Sequence, residues 1–261
     1  MSEKAGYLVD VGMGDLPFPI RALSRVQPEG QPTVANISIS ARISREFEAR
    51  GIDTFIRILH RHRERIGTDV LRANVLDYRH ELRAATVTVH LEYPFFVEKL
   101  TPVSSEKSLV RYLCTYSVLS PSLDTVPKVL FKIAIPVLTS YPNLSRLKPG
   151  GLFAQLSIVV IESQSEKDIY PEYLVELADK YALAPVYSFL TDEDQSELIS
   201  RVHSEERSSV QMVNQIENEL TGNIDIQWFS VRCSNYGMLH TYSTVIGTER
   251  TMRPPYEDMG P

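Results

Sequence analysis

What most constrains this chain is an order of hydrophobic periods that runs through it twice. In residues 33–42, TVANISISAR, Val34, Ile37 and Ile39 stand near alternation, the period of a half-buried strand. FPIRALSRV (18–26) ahead of it is another strand, and PEGQP (28–32) between them is a turn, so the two read as a hairpin. The period then changes. Phe55, Ile56, Ile58, Leu59 and Ile66 recur at helical spacing, and Gly67 ends that helix. Thr68 is the expected N-cap of the next helix, with Val70, Leu71, Val75 and Leu76 along one side. Strand periods return in ATVTVHLEYPFF (85–96) and LVRYLCTYSVL (109–119). The second half repeats the order: strands KVLFKIAIPVL (128–138) and GLFAQLSIVVIE (151–162), a short helix PEYLVELADKY (171–181), and a longer helix over 196–220. IDIQWFSVRCS (224–234) and HTYSTVIGTE (240–249) close it as strands.

The chain therefore reads ββααββ twice, a duplication of architecture without a clear sequence repeat. Four antiparallel strands with two helices on one face make a layered α+β unit. Such a unit leaves its sheet edges open. Two fused units can pair edges, and closing a barrel takes further copies, so an oligomer is expected. The expected boundaries are an N-terminal tail over 1–14, a first module over 15–122, a second over 123–250, and a C-terminal tail over 251–261.

A chain of 261 residues, 43% hydrophobic and 23% charged, fits one large domain or two small fused ones and buries a core without staples. Its net charge of −6 argues against a nucleic-acid partner, which normally needs a basic face. Cys114 and Cys233 form no CxxC pair and no disulfide framework, which points to a reduced, cytoplasmic protein. The opening MSEKAGYLVD has no apolar run of the signal-peptide kind. No stretch reaches the roughly 20 apolar residues of a membrane helix, so no membrane partner is expected.

Local motifs carry a resemblance. LPFPIRA (16–22) and TVANISISARIS (33–44) look like the opening strands of the type IB GTP cyclohydrolase I family. That family next reads KGTHMSRF, and the matching RGIDTFIR (50–57) keeps Gly51 but has Asp53 for the motif His. Its central VPVTSLCPCS and GAHNQRS match IPVLTSYPNL (135–144) and GLFAQLS (151–157), with Pro136, Pro142, Gln155 and Ser157 in common. VYSFLTDEDQSELIS (186–200) and SVQMVNQ (209–215) resemble a third stretch through Val186, Tyr187, Leu190, Asp194, Met212 and Val213. The final ESIHPH falls on GMLHTY (237–242) and keeps His240. The similarity covers about 15–250 of the chain.

The resemblance implies a bimodular tunnelling fold, α+β, with two fused ββααββ modules in an oligomer and active sites between modules. It also implies a family chemistry, in which a bound divalent metal opens the imidazole ring of GTP and dihydroneopterin triphosphate is formed. At the matched positions this sequence departs from the family. The metal-binding Cys falls on Tyr141, the second Cys on Asn143, and the ligand His on Phe153. The metal-site Glu falls on Gln195, with Glu193 as its substitute after a local slip, and a later Glu falls on Val210. The Glu that would hold the purine or pterin ring falls on Gly237. A hydrolytic metal needs three or so donors and an open position for water. Phe153 and Val210 offer no donor atom. A phenol binds a metal only as phenolate, a minor species at neutral pH. No metal and no cofactor are therefore expected.

Tyr141, His240 and Tyr242 are left as acid–base candidates, and Asn143, Phe153, Gln195 and Glu193 as ligand-binding candidates, in a cavity that is either apolar with a few polar groups or simply filled. Three readings remain. One is a family member without metal-dependent turnover alone, which binds a purine- or pterin-like small molecule or pairs with an intact paralogue, as homo- or hetero-oligomer. The second is a repurposed metal-independent enzyme, and the third a residual GTP cyclohydrolase. Elsewhere, Arg57, His60, Arg61, His62, Arg63 and Arg65 make a basic helix surface, either a solvated face or an anion contact. His60 and His62, two apart, do not form a metal pair. Asp192, Glu193 and Asp194 read as a helix N-terminus.

Overall fold

A computed structural model describes residues 8–44, 51–121, 125–141, 153–237 and 241–250. Its first elements are β1 (Leu8–Ala22), β2 (Gln31–Ser44), α1 (Gly51–Arg61), α2 (Thr68–Leu82), β3 (Thr86–Leu100) and β4 (Lys107–Ser120). The rest are β5 (Lys128–Ser140), β6 (Ala154–Ser165), α3 (Pro171–Tyr181), β7 (Ala184–Pro185), α4 (Asp192–Ser204), α5 (Ser209–Gly222), β8 (Ile226–Tyr236) and β9 (Thr244–Glu249). Hydrogen bonding orders the strands β1-β2-β3-β4-β5-β6-β8-β9, with the short β7 on β5. Contacts divide the chain into one unit of Met1–Phe95, Leu113–Phe131 and Gln164–Pro171, and another of Phe96–Tyr112, Lys132–Ser163 and Glu172–Pro261. Among the described residues no helix is long and apolar enough to cross a membrane.

In the first unit the expected hairpin forms, and its turn is closed by Gly30, whose φ of 84° suits glycine and whose N–H donates to the Gln27 carbonyl at 2.8 Å. β1 begins at Leu8, ahead of the expected start at Phe18, because Val9, Val11 and Met13 carry the same alternation. β2 pairs antiparallel with β3 so that Ile37, Ile39 and Ala41 stand opposite Leu91, Val89 and Val87. All six are buried, along with Tyr93 and Phe95 further along β3. The helices contribute buried Phe55, Ile58, Val75, Tyr78 and Leu82. The Tyr78 ring lies 5.4 Å from that of Phe55, and its hydroxyl donates to the Phe55 carbonyl at 2.9 Å, which satisfies the one polar atom the ring carries into the core. Burying a side chain such as Phe55 contributes about 1.5–3 kcal/mol.

Thr68 is not the N-cap of α2. Gly67 holds that position and has no side chain to offer. The cap comes instead from Asp168, whose Oδ1 accepts from the Thr68 N–H at 2.6 Å. A Cβ on residue 67 would stand 2.4 Å from that same oxygen, so glycine there leaves room for the carboxylate. The basic surface of α1 is ion-paired. Arg61 reaches Asp77 at 2.7 Å and Glu81 at 2.9 Å, Arg57 reaches Glu81 at 2.8 Å, and His62 meets Asp77 at 2.8 Å. Burial pushes the Asp77 carboxyl up, but the His62 and Arg61 hydrogen bonds hold it below the usual carboxylate range.

In the second unit the long helix expected over 196–220 is two helices, α4 and α5. The break follows from contacts distant in sequence. The Arg207 N–H donates to Ser140 Oγ at 2.7 Å, and the Ser140 N–H donates back to the Arg207 carbonyl at 2.8 Å, so both backbone groups of Arg207 are engaged outside a helix. Ser208 then restarts the helix through a capping box with Gln211. The acidic triplet does open a helix, as expected. Thr191 caps α4, and Asp194 closes the box. Asp194 is fully buried and also accepts from the Val103 and Ser104 N–H groups at 2.9 and 3.0 Å and from Ser104 Oγ at 2.7 Å. Against its burial, these donors and Thr191 hold the carboxyl far below its ordinary range.

Two outcomes follow for thermal melting. Asp168→Ala leaves the first N–H groups of α2 uncapped and should cost about 1 kcal/mol, a loss of roughly 2–4 °C in Tm. The ionised Asp194 is favoured in the folded state, so its contribution is present at neutral pH and is lost as pH falls below the unfolded carboxylate value of about 3.9. Asp194→Asn should therefore melt lower than the parent at pH 7, and the gap should narrow as the pH is lowered toward 3.

Candidate functional site

Three strand ends of the second unit meet where the sequence places its central motif. β5 finishes on Thr139 and Ser140 and delivers Tyr141, β6 begins just after Phe153, and β8 ends just before Gly237. The Tyr141 N–H donates to the Phe153 carbonyl at 2.7 Å, so the ladder between the two segments fixes both backbones. The Tyr141 ring lies over the α-carbon of Gly237. A Cβ at 237 would stand 2.7 Å from Tyr141 Cε2 and 3.8 Å from Gln155 Oε1, so the ring occupies the space in which a side chain at 237 would begin. Phe153 is 44% exposed and meets the His203 ring edge to face at 6.3 Å. Tyr141 is half-buried.

Behind this surface runs a buried network of neutral polar groups. The Gln155 amide nitrogen donates to Thr139 Oγ1 at 3.3 Å and to the Ser140 carbonyl at 3.4 Å. Thr139 Oγ1 and Ser157 Oγ are 2.7 Å apart, and Ser157 donates to Asn235 Oδ1 at 2.8 Å. Asn235 Nδ2 donates to Ser209 Oγ at 3.1 Å and to Thr244 Oγ1 at 3.3 Å. The Cys233 thiol also donates to Asn235 Oδ1, at 3.4 Å. Burial pushes this thiol up to about 11, so it stays protonated and is no nucleophile at neutral pH.

Tyr141 and Phe153 thus come together as the sequence suggests. No contact among the described residues joins Gln195 or Glu193 to them. Gln195 turns its amide nitrogen to the Leu190 carbonyl at 3.4 Å. Glu193 lines an open cavity of about 480 Å³ with Val103, Asp192, Ser196, Glu197 and Ser200. Tyr242 is 61% exposed ahead of β9, while His240 and Asn143 lie outside the described residues. The described side chains at the positions matched to the family's metal ligands do not fit a hydrolytic metal. Phe153 and Val210 present only carbon to their surroundings, and Gln195 is a neutral amide. Gln155, Ser157 and Asn235, which stand behind Tyr141, were not among the candidates taken from the sequence, and Gly237 was noted there only as the position matched to the family's ring-holding Glu. The one signal for them was the match of Gln155 and Ser157 to the central motif.

The steric coupling of Tyr141 and Gly237 is testable by a double-mutant cycle. Gly237→Ala should lower the Tm by several degrees in the parent, since a methyl group 2.7 Å from Tyr141 Cε2 must displace the ring. In a Tyr141→Ala background the same change should have little effect.

Comparison with known proteins follows the same lines. The family model described as type I GTP cyclohydrolase FolE2 matches residues 2–245. The GTP cyclohydrolase FolE2 of Citrifermentans bemidjiense is 31% identical over 242 residues, which covers 92% of this chain and 89% of that protein. The GTP cyclohydrolase FolE2 of Geotalea uraniireducens is 29% identical over 243 residues, covering 93% and 88%. Among solved structures, uricase from Arthrobacter globiformis superposes with a TM-score of 0.52 at 9% identity, over 97% of this chain and 99% of that one. A hyperthermostable mutant of Bacillus sp. TB-90 urate oxidase gives 0.51 at 10% identity, over 94% and 98%. At such identity these two show the fold alone, an antiparallel α+β sheet with helices on one face, of the tunnelling kind. With its matches to the family model and to relatives spanning most of its length, the chain belongs to the type I GTP cyclohydrolase FolE2 family.

Proposed function

We propose that this family member binds a purine- or pterin-like heterocycle at the Tyr141–Gly237 end of the second unit and does not by itself carry out metal-dependent opening of GTP. It acts in a biosynthetic pathway as a homo-oligomer or paired with an intact paralogue. The observation that carries the reading is the Tyr141 ring lying where a side chain at 237 would begin. By the resemblance, that is where the family has a carboxylate for the heterocycle. An aromatic ring there offers a flat apolar face to a flat ligand. Exposed Phe153, bonded to Tyr141 through the backbone, and the buried amide of Gln155 supply a further apolar side chain and a polar group, the residue types from which small-molecule sites are usually built. The donor chemistry at Phe153 and Val210 supports the second half of the proposal, since neither can hold a metal ion.

The test has two readings on one preparation. Native mass spectrometry of the chain purified gently from its host should show an oligomer carrying a discrete organic mass. Supplied with zinc or manganese and GTP, the same protein should release no formate above a protein-free control. Formate release under those conditions would restore the residual cyclohydrolase. An oligomer seen only with an intact paralogue, carrying no small molecule of its own, would sink the binding role and leave a structural subunit.

A further inference from the structure

We infer that the first unit binds one internal water molecule, which donates to Asn74 Oδ1 and bridges α2 to the segment that joins it to α1. The inference is independent of what binds near Tyr141. A small, largely enclosed cavity lies inside this unit, with Ile37, Val89 and Leu91 of the sheet, Asn74 of α2, and His62 and Arg63 of the connection on its wall. The centre of a water molecule has about 10 Å³ to occupy there, room for one and no more. Asn74 is 3% exposed, and its Oδ1 is shut off from solvent and accepts no hydrogen bond. A buried acceptor without a donor costs the full loss of its hydration. A cavity of this size lined only by carbon stays dry, but one that a stranded acceptor lines takes up water.

Which end of the Asn74 amide is left for the cavity follows from Tyr78. The Tyr78 hydroxyl gives its one proton to the Phe55 carbonyl at 2.9 Å, so toward Asn74 its oxygen can only accept. Burial pushes the Tyr78 phenol up, and a hydrogen bond from Asn74 works against that rise, as an amide N–H given to the phenol oxygen would. The nitrogen is therefore committed to Tyr78, and turning the amide over would set two acceptors against each other. That leaves Oδ1 as the polar atom Asn74 has for the cavity it lines. Water meets it with one proton and has a second to give. The two polar residues of the opposite wall have capacity for it. The His62 ring uses Nε2 on Asp77 at 2.8 Å and has Nδ1 besides. The Arg63 carbonyl accepts from the Arg21 N–H at 2.9 Å and has another lone pair. Two to four such partners are the usual holding of a buried water. The side chains of Ile37, Val89 and Leu91 carry only carbon, so none of them can stand in for it.

The experiment is magnetic relaxation dispersion of the water oxygen in solutions of the full chain, which counts the water molecules held for longer than the protein takes to tumble. The parent should hold one such water more than Asn74→Leu, a variant of similar volume without the acceptor. Equal counts would overturn the inference. If Asn74→Leu does not fold, Val89→Ile decides, because its added carbon enters the wall of the cavity. A bound water would be expelled and Asn74 Oδ1 stranded, so the count should fall by one and the Tm by several degrees. In an empty cavity the same carbon fills a void, which leaves the count unchanged and the Tm level or raised. An unchanged count in Val89→Ile removes the water site.

Discussion

Long antiparallel strands covered on one side impose the main constraint on this molecule. β3 buries Val87, Val89, Leu91, Tyr93 and Phe95 in strict alternation, and β4 and β5 do the same with their own odd or even positions. A surface of that kind has to be roofed by amphipathic helices, because alternate residues of every strand point the same way. The roof then needs its ends tied down, and the ties are made by two carboxylates, one half-buried and one fully buried. Asp168 holds the start of α2, and Asp194 joins the start of α4 to the turn at Val103 and Ser104. At Asp194 converging donors more than offset the cost of taking the charge from water, whereas at Asp168 burial outweighs the two N–H groups and pushes the carboxyl up. The tyrosines of the sheet face are held by ring packing: Tyr116 lies between Tyr93 at 6.3 Å and Phe131 at 4.7 Å.

At the candidate site, Tyr141 and Gly237, which the resemblance matches to two separate family motifs, are sterically one unit. Read along the sequence, an aromatic residue at 141 and a glycine at 237 look like separate losses. In space the ring of one fills the side-chain volume of the other. A large side chain at 237 and a Tyr at 141 cannot both keep these positions, so the pair has to be judged together.

The elements legible in the sequence were those set by local period. Val87, Val89 and Leu91 announce a strand, and Phe55, Ile58 and Leu59 a helix, because only neighbours in the chain are needed to read them. The boundary between α4 and α5 was not legible. Nothing in Glu205, Glu206 and Arg207 forbids a helix; what breaks it is pairing with Ser140, far away in sequence. The cap of α2 was misassigned to Thr68 for the same reason, since the acceptor that caps it is Asp168 from the other half of the chain. Tyr141 and Phe153 could be found from the motif. Glu193 and Gln195 were also read from a motif, but their side chains turn to other neighbours, and spacing alone does not say where a side chain points.

The choice of an amide at Gln155 has a consequence that a carboxylate would not share. A carboxylate only accepts, so it would turn away from the Ser140 carbonyl and would change character on protonation. An amide donates at one end and accepts at the other, and it takes its direction from whatever holds its nitrogen. Here that direction passes through Thr139, Ser157 and Asn235, and the remaining member of the cluster, Cys233, is kept protonated by burial. The orientation of the Gln155 amide is thus stored in neutral groups anchored on β5, β6 and β8 together. The strand ends that carry the ring of Tyr141 are the same ones that set the polarity of its polar neighbour, so the ring and the amide are positioned by one set of backbone and side-chain contacts.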